Sequence, residues 1–577
     1  MTAPESGSLR LVRRVPRVDT PLEGCSPLLS RVYRARGVSS VSELDYRLAS
    51  LAAPDQLAGL HEAAGVLAGA IMAGERILII GDYDADGATS TALAVSALKA
   101  LGAGHVDYLI PDRFACGYGL SEAVVELARE RDPRVLVTVD NGIASVAGVA
   151  RARALGMKVV ITDHHLPGDV LPDADAIVNP NQPGCRFPWK STAGVGVIFY
   201  VLSAVRQQLR AAGWAAASDV RLADWLDLVA LGTVADLVPL EYNNRILVAA
   251  GLARMRREDC RPGIRALLDV AGRDLSSLSA QDLAFSVAPR LNAAGRLENM
   301  AVGVECLLAR DLASARAHAE ALDDLNRQRR EIEQDMRDRA ESILRGLKKS
   351  LARLPAGLCL FDEGWHEGVI GIVASRIKER VHRPVVVMAP GEGGLIKGSG
   401  RSIPGFHLRD ALDCVANRHP GLLSRFGGHA MAAGLTIERE KLETFRRAFE
   451  TVSREWLGEQ PPGQRVETDG PLAAEEMTLA SALELEAAGP WGQGFPEPVF
   501  DGWFEVLAHR QVGQKHLKLT LTPEGQDQVV DAILFNFEHW DVLKRCRRVH
   551  LAYQLNVNRY QGRTRLQLLA RHWLGHD

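Results

Sequence analysis

Three clusters of acidic and imidazole side chains each follow a short apolar run that is typical of a buried strand. The first lies in the sequence GDYDADG after Ile77–Ile80, the second begins at Asp140 after Val135–Val139, and the third is the sequence DHH after Val159–Thr162. Because the carboxyl ends of parallel strands converge on one crevice, we expect the three clusters to meet there. Their acidic and imidazole members are Asp82, Asp84, Asp86, Asp140, Asp163, His164 and His165.

Carboxylates at this density repel one another and hold protons more tightly unless cations neutralise them. Asp236, in the sequence LVALGTVADLVPL, adds a fourth acidic position after an apolar stretch. Several carboxylate oxygens combined with imidazole nitrogens suit manganese or a similar divalent ion, and magnesium where oxygen dominates. Two such cations about 3.5–4 Å apart form the arrangement that cleaves phosphate esters. The pattern therefore predicts a two-metal site for phosphodiester hydrolysis.

Two simpler interpretations compete with this metal site. The acids of GDYDADG alternate as in a calcium-binding EF-hand loop, but position twelve is Leu93 instead of a bidentate glutamate, and a strand precedes the loop instead of a helix. The acidic turn can also cap the following helix, with His164 and His165 as an ordinary buried pair. The recurrence of acids after three successive strands favours the metal site.

The elements that must position these side chains alternate between short Val/Ile/Leu runs and helices. This alternation is typical of a doubly wound α/β domain, in which helices cover both faces of a parallel sheet. Asp311–Arg353 keeps apolar residues at helical spacing without a proline and predicts one long connecting helix. A second α/β block follows, and EQPPGQ at Glu459–Gln464 is typical of a linker. Five strand-like segments beyond it predict a small β-barrel.

The predicted fold class is therefore α/β, with a barrel added at the C-terminal end. The N-terminal region is expected to be a helical leader that includes the segment SELDYRLASL. The expected domains are a leader at 1–69, the metal-binding domain at 70–245, a helical region with the connecting helix at 246–353, the second α/β domain at 354–455, and the barrel at 465–577.

Composition limits the classes of protein to which the chain can belong. The formal net charge is −3 over 577 residues, so binding to a polyanion requires local basic patches. No apolar stretch reaches the length of about 18–20 residues that a membrane helix needs, and residues 1–18 lack the apolar segment of a secretory signal. The eight cysteines form no CxxC pair, which is typical of a reducing cytoplasm.

One basic patch lies at the C-terminal end. Residues 541–577 contain eight Lys and Arg side chains against two acids, with Tyr553, Tyr560 and Trp573 between them. Cations that follow the backbone, together with rings on which bases stack, are what sequence-tolerant binding of single strands requires. The competing interpretation is a barrel whose aromatic residues form the core and whose arginines only solvate it.

Four segments together resemble the motifs of the DHH phosphoesterase superfamily: GDYDADG, VTVDNG, ITDHH and LGTVADLVP. Further segments are similar to the RecJ family of single-stranded-DNA exonucleases, namely PDRFACGYGLS, PRLNAAGRL, GWHEGVIGIVASRI, GSGRS and FGGHAMAAG. The resemblance extends from about Arg31 to the C-terminus. The sequence departs from the usual pattern at Asp112, Trp491 and Phe495, none of which is a proposed metal ligand.

The resemblance implies a DHH catalytic domain, a DHH-associated domain and an oligonucleotide-binding (OB) barrel. It implies an exonuclease that degrades single-stranded DNA from the 5′ end to mononucleotides by two-metal hydrolysis, in recombination and repair. Two divalent cations, manganese or magnesium, are the implied cofactors. The implied metal ligands are Asp82, Asp84, Asp86, Asp140, His164, His165 and Asp236, all but Asp82 being also catalytic.

An enzyme of this kind must recognise a strand end, and a 5′-phosphate is best held by guanidinium, hydroxyl and backbone donors. The sequence GSGRS fits a backbone nest for such an anion. The candidates for binding the 5′-phosphate and the DNA lie in motifs of the family: Arg113, Arg296, Ser399, Arg401 and His429. For Arg290 and Arg296, ordinary salt bridging is the competing interpretation.

The expected partners are single-stranded DNA, a single-strand-binding protein and a helicase, with no membrane. We expect a cytoplasmic monomer. The alternative function is a DHH-family phosphodiesterase that acts on short oligonucleotides or cyclic dinucleotides, although a small substrate does not need the basic C-terminal domain. A non-catalytic scaffold of the same fold is disfavoured because every expected acid and histidine is present.

Overall fold

The computed structural model describes residues 9–16, 20–112, 118–350, 354–458, 465–513, 515–537, 540–543, 546–560 and 562–577. Two compact units emerge: a larger unit of Arg13–Asn326 with Thr468–Asp577, and a smaller unit of Arg327–Glu467 with the N-terminal residues up to Val12. The candidate residue Arg113 and the predicted linker Glu459–Gln464 lie outside the described residues. Among the residues described, no helix combines the length and the apolar character needed to cross a membrane.

The N-terminal region is only partly helical. It contains strand β1 (Arg10–Arg13) and helices α1 (Pro27–Ala35) and α2 (Leu60–Met72). The segment SELDYRLASL, expected to be helical, instead forms two short 3-10 turns, Val41–Leu44 and Leu48–Ser50. Between them, the Asp45 carboxylate accepts hydrogen bonds from the backbone N–H and the guanidinium of Arg47 and from Ser50 Oγ. Such local side-chain bonds compete with helical backbone pairing.

The predicted doubly wound α/β domain is confirmed. Its strands, all parallel, lie in the order β3-β2-β4-β5-β6. Alternate residues of the interior strand β2 enter different hydrophobic cores, with Ile79 on one side of the sheet and Ile80 on the other. The elements are β2 (Ile77–Gly81), α3 (Ala85–Ala100), β3 (Val106–Leu109), α4 (Glu122–Arg129), β4 (Val135–Val139), α5 (Val146–Ala154), β5 (Lys158–Thr162), β6 (Ala176–Val178) and α6 (Gly194–Ala211).

A series of helices follows. They are α7 (Leu226–Ala235), α8 (Tyr242–Arg256), α9 (Pro262–Val270), α10 (Ala280–Asp282), α11 (Ala288–Leu297), α12 (Ala301–Leu308) and α13 (Leu312–Ser350). Helix α13 is the long connecting helix predicted for Asp311–Arg353, and its last three predicted residues lie outside the described residues. Its first part, up to Asn326, belongs to the larger unit and the rest to the smaller unit.

The smaller unit contains a mixed five-stranded sheet in the order β10-β11-β9-β8-β7. Its elements are β7 (Leu358–Phe361), α14 (Ile370–Val381), β8 (Val385–Pro390), β9 (Leu395–Arg401), α15 (Leu408–Arg418), β10 (Arg425–Gly428), β11 (Ala432–Glu438) and α16 (Leu442–Leu457). The expectation that GSGRS forms a backbone nest is wrong. Its first four residues belong to the extended central strand β9, whose backbone is paired with β8 and β11.

The predicted C-terminal barrel is confirmed as a closed five-stranded barrel in the order β13-β14-β15-β17-β16. It is preceded by β12 (Arg465–Thr468) and α17 (Leu479–Ala487), and it consists of β13 (Phe500–Val512), β14 (His516–Pro523), β15 (Val530–Leu534), α18 (Trp540–Leu543), β16 (Arg548–Tyr560) and β17 (Arg563–His576). Tyr553 is 1% exposed and packs in the barrel core, whereas Tyr560 is 68% exposed. Of these two rings, only Tyr560 is available to a nucleic acid.

Candidate metal centre

The predicted acidic clusters meet at the carboxyl edge of the parallel sheet in the larger unit. Strand β2 lies between β3 and β4, so the chain reverses its winding direction at this point and opens a crevice there. Asp140 directly follows β4 and has a left-handed backbone (φ 61°), with its N–H bonded to the carbonyl of Thr162. Aspartate tolerates this conformation better than most residues, and the turn directs the buried carboxylate into the cluster.

The turn after β2 supplies three more carboxylates. Asp84 caps helix α3, because its Oδ1 accepts hydrogen bonds from the N–H groups of Asp86 (2.9 Å) and Gly87 (3.0 Å). Asp84 therefore has the capping role that the sequence suggested, and it also belongs to the acidic cluster. A Cβ at Gly87 would lie 2.6 Å from the carbonyl oxygen of Asp82, so glycine permits this tight turn.

The N-terminus of helix α6 partly neutralises Asp86. The Asp86 carboxylate accepts hydrogen bonds from the N–H groups of Gly194 (2.7 Å) and Val195 (3.0 Å), and the partial positive charge of a helix N-terminus favours an anion. Added Cβ atoms at Gly194 and Gly232 would come within 2.6 Å of Asp140 Oδ1 and 2.7 Å of Asp86 Oδ1 respectively. Both glycines therefore leave room for the carboxylates.

Asp163 organises the two histidines that follow it. Its Oδ1 accepts hydrogen bonds from the N–H groups of His164 and His165, and it lies 2.7 Å from His165 Nδ1. Its Oδ2 accepts a hydrogen bond from the N–H of Ile143. Burial opposes ionisation of both the Asp163 carboxyl and the His165 imidazole. The contact with Asp163 nevertheless raises the pKa of His165 to about 9, and the contact with His165 helps to lower the pKa of Asp163. Asp163 thus holds His165 in one orientation.

The side chains converge in three overlapping groups whose potential ligand atoms lie within 4.8 Å of one another. Asp140 and His164 each belong to two of the groups, and of the two only the Asp140 carboxylate has a second oxygen with which it could be shared by two ions. The groups are Asp140 with His164 and His165, Asp86 with His164 and Asp236, and Asp82 with Asp84 and Asp140. All seven predicted metal ligands therefore lie in one cluster.

Two buried atoms at the centre of this cluster test whether cations fit. Asp140 Oδ1 and His164 Nε2 lie 3.1 Å apart, yet neither forms a hydrogen bond with the part of the chain that the structure describes. His164 Nε2 also lies 3.4 Å from Asp236 Oδ2. Neighbouring donors around an octahedral ion with bonds of 2.0–2.2 Å lie about 3 Å apart. The spacing therefore fits ligands of a shared cation.

The electrostatics of the cluster also favour cations. Burial and the charge of Asp84 raise the pKa of Asp86 to about 7. Burial and the charge of Asp86 raise the pKa values of Asp140 and Asp236 well above the usual range for aspartate. Burial and the neighbouring His165 lower the pKa of His164 to about 4, which keeps its imidazole neutral and able to bind a metal.

The predicted phosphate-binding residues lie in both units. Arg296 is at the end of α11 in the larger unit, where a Cβ at Gly295 would lie only 1.8 Å from the Tyr83 carbonyl oxygen, so this helix adjoins the acidic turn. Arg290 is instead paired with Asp323 at 2.8 Å, as its structural interpretation predicts. Ser399 and Arg401 lie on β9 and His429 in the turn between β10 and β11, all in the smaller unit.

Sequence reasoning assigned no role to three contributors to the site. Asp163 was placed in the acidic cluster but given no function, and the N-terminus of α6 at Gly194 was not expected close to the acids. Tyr118 was also missed. Its hydroxyl lies 3.2 Å from His165 Nδ1, and its ring meets Tyr83 edge-on at 6.1 Å. Tyr118 lies in the segment PDRFACGYGLS that is similar to the family, and this was the available signal.

Family models match three parts of the chain: the DHH family N-terminal domain at residues 76–233, the DHHA1 domain at 354–455 and the RecJ OB domain at 468–572. The chain is 50% identical to the single-stranded-DNA-specific exonuclease RecJ of Escherichia coli over 556 residues, covering 96% of each chain. The crystal structure of RecJ from Thermus thermophilus with Mn²⁺ matches with a TM-score of 0.78 at 31% identity, over 98% of this chain and 79% of that one. The structure with Mg²⁺ from the same organism matches with a TM-score of 0.72 at 30% identity, over 98% and 78%.

We expect Mn²⁺ to raise the melting temperature, and more so at about pH 8 than at about pH 6, because protons compete for ligands whose pKa values are raised. Carboxyl groups with raised pKa values stabilise the fold below their unfolded pKa near 4, and that contribution is lost as the pH rises through about 7. With chelator present, the melting temperature should therefore fall as the pH rises from about 6 to about 8. Thermal denaturation with and without Mn²⁺ measures both effects.

Asp140→Asn should remove most of the stabilisation by Mn²⁺ while preserving the left-handed backbone, which asparagine also tolerates. The matched control is Asp132→Asn, the same change at an exposed aspartate that also has a positive φ (49°). Equal stabilisation of both variants by Mn²⁺ would contradict the assignment of Asp140 as a ligand.

Proposed function

The chain belongs to the RecJ family of single-stranded-DNA-specific exonucleases, and on that premise we propose that it degrades single-stranded DNA from the 5′ end to mononucleotides, in DNA recombination and repair. The observation that carries the proposal is the 50% identity to the exonuclease of Escherichia coli over 96% of both chains. The alternative of a phosphodiesterase for short oligonucleotides or cyclic dinucleotides does not explain the OB domain at residues 468–572.

The enzyme uses two divalent cations, manganese or magnesium, and Asp82, Asp84, Asp86, Asp140, His164, His165 and Asp236 are the ligands that we propose. When bound, such a pair of cations activates the attacking water and stabilises the leaving oxygen of the phosphodiester. Asp140 and His164 each belong to two of the three ligand groups. Helix α6 keeps Asp86 in place through hydrogen bonds from two backbone N–H groups. Asp163 holds His165 in place for its role as a ligand. As the alternative to that role, His165 would donate a hydrogen bond from its imidazolium to the phosphoryl oxygens as charge develops.

The exonuclease activity itself is tested with labelled substrates. With Mn²⁺ or Mg²⁺, the enzyme should release a labelled mononucleotide at once from 5′-labelled single-stranded DNA, release label late from 3′-labelled strands and spare duplex DNA. Asp140→Asn should lower the rate at least about 100-fold, because it removes a carboxylate shared by two ligand groups. Rapid turnover of a dinucleotide, with long strands left intact, would instead establish the alternative function.

For recognition of the strand end we propose an anion site in the smaller unit, at Ser399 and Arg401. The Arg401 guanidinium donates hydrogen bonds to Ser399 Oγ (3.0 Å) and to the Gly400 carbonyl (2.8 Å), and it has no ion-pair partner among the described residues. A Cβ at Gly371, in the first turn of α14, would lie 2.8 Å from Arg401 Nη2. A cation and a helix N-terminus so close together repel unless an anion joins them, and a 5′-phosphate is such an anion.

His429, Arg296 and Arg113 complete the set of residues that we propose for binding the 5′-phosphate and the DNA. His429 donates its backbone N–H to the Ala432 carbonyl (2.7 Å), which fixes the turn between β10 and β11 in the smaller unit. Arg296 is half-buried beside the acidic turn of the larger unit. Arg113 is proposed on the family motif alone.

Arg401→Lys should lower the preference for a 5′-phosphate over a 5′-hydroxyl by about tenfold or more, because an ammonium cannot make the paired hydrogen bonds of a guanidinium. The measurement compares kcat/KM for the two kinds of oligonucleotide. The matched control is Arg409→Lys on the exposed face of α15 in the same unit. An unchanged preference in Arg401→Lys would exclude this phosphate site.

The barrel carries a groove of about 460 Å³ that we propose as a binding site for the single strand. Its lining includes Lys518, Tyr560, Arg563 and Arg565. Arg563 and Arg565 are exposed and form no ion pair with any residue that the structure describes. By contrast, Arg559 in the same basic patch is held by both carboxylate oxygens of Glu486. Lys518 is paired with Asp531, which also lines the groove, so the groove combines two unpaired arginines with an exposed ring, as sequence-tolerant binding requires.

Arg563→Ser combined with Arg565→Ser should weaken binding of a long single strand. It should also reduce the slope of log affinity against log salt concentration by about 1.4 in magnitude. Each phosphate contact contributes about 0.7 to this slope for single strands, and the double variant loses two contacts. Fluorescence anisotropy across a salt series measures both effects. Arg559→Ser is the control and should change neither, since Glu486 already neutralises Arg559. Equal effects of the two variants would count against the groove.

Single-stranded DNA is the partner that family membership supports. We further propose a single-strand-binding protein and a helicase as protein partners, and a cytoplasmic monomer as the working form. The absence of CxxC pairs supports a reducing compartment. Sedimentation of the purified chain tests the monomer, and capture of tagged chain from cells with and without nuclease treatment tests the protein partners.

A further inference from the structure

An exposed leucine follows directly after one of the proposed metal ligands. Helix α7 ends at Ala235, Asp236 caps it, and Leu237 is the next residue. The Asp236 carboxylate lies 3.4 Å from His164 Nε2, inside the metal cluster. Leu237 is 61% exposed although its neighbours Val234 and Leu240 are buried. The chain therefore exposes one large apolar side chain at the residue that directly follows a proposed metal ligand.

The backbone of Leu237 is strained for a leucine. Its φ is 60°, in the left-handed region that favours glycine. Helices often end on such a residue, and glycine or asparagine is the usual choice because other side chains cost energy there. Terminating α7 after Asp236 therefore does not require a leucine. An exposed apolar side chain in a strained backbone next to a catalytic cluster points to contact with a ligand.

The place of Leu237 in the chain limits which part of the substrate it can meet. Its neighbour Asp236 belongs to the cluster that holds the scissile phosphate in the proposed function. The groups covalently attached to that phosphate are sugars, and a sugar is therefore the part of the substrate that we assign to a side chain one residue from the ligand. An apolar side chain accepts the C2′ methylene of deoxyribose, whereas it deprives a ribose 2′-hydroxyl of hydrogen bonds with water.

We propose that Leu237 is a specificity-determining residue that packs against the deoxyribose next to the scissile phosphate and selects DNA over RNA. The inference rests on the proposed exonuclease function and extends it to the chemical basis of sugar selection. A 2′-hydroxyl that loses its hydrogen bonds against an apolar surface is disfavoured by about 5-fold to 100-fold.

The test compares two single-stranded oligonucleotides of one sequence, one all-deoxy and one with ribonucleotides at the first two 5′ positions. The ratio of their kcat/KM values is measured for the full-length wild type, Leu237→Gly and Leu237→Asn with Mn²⁺. Glycine removes the side chain, and asparagine replaces it with a polar one. Both residues tolerate the left-handed backbone, so both variants should melt at the same temperature as the wild type or higher.

The matched control is Glu258→Gly, which relieves the same backbone strain (φ 60°) after helix α8 in the same unit. It should raise the melting temperature without changing the preference for DNA. Leu237→Gly and Leu237→Asn should each reduce that preference by about 5-fold or more. A shift of the Asp236 carboxylate would slow both substrates alike, so the ratio separates contact with the sugar from a structural effect.

The outcomes distinguish this inference from the proposed function. If the wild type does not degrade the all-deoxy strand, the proposed function fails. If the wild type degrades it and both Leu237 variants retain the wild-type preference for DNA, the role of Leu237 in sugar selection is overturned while the exonuclease assignment stands. Loss of preference in the Leu237 variants but not in Glu258→Gly supports the proposal.

Discussion

Repulsion among buried carboxylates is the constraint on which the catalytic half of this molecule depends. Asp82, Asp86 and Asp140 are nearly inaccessible to solvent, and burial together with the neighbouring carboxylates raises the pKa values of Asp86 and Asp140. The surrounding elements meet this constraint in three ways: a left-handed backbone at Asp140, glycines at 194 and 232, and the N-terminus of α6 against Asp86. Divalent cations supply the remaining positive charge, so binding of metal and stability of the site are coupled.

The opposite imbalance occurs at the arginines that we propose as phosphate-binding residues. Arg401 in the smaller unit and Arg563 and Arg565 on the barrel have no counter-ion among the residues described here, whereas Arg559 and Arg290 are neutralised by carboxylates of the chain itself. Ion pairing with carboxylates of the chain thus distinguishes the structural arginines from the arginines that we propose to bind phosphate. A DNA strand, with one phosphate for each nucleotide, suits both the cation-requiring cluster and the uncompensated arginines.

Local sequence patterns predicted the elements whose burial is nearly complete. The run Val135–Val139 is a strand with the predicted bounds, because a strand buried on both faces is nearly continuously apolar. Prediction failed where short-range chemistry or strand pairing decided the outcome. Asp45 bonds locally and prevents a helix, and pairing on both sides draws GSGR into an extended strand instead of an anion nest.

The sequence by itself determined the residue types of the metal centre and its place after successive parallel strands, because convergence of strand ends follows from topology alone. Only the tertiary structure decided which atoms meet, since Asp140 and His164 are 24 residues apart in the chain and 3.1 Å apart in space. It also decided that Tyr553 lies in the barrel core and Tyr560 outside, and that Leu237 faces outward. Exposure and ion pairing arise from contacts between distant segments, which no local pattern encodes.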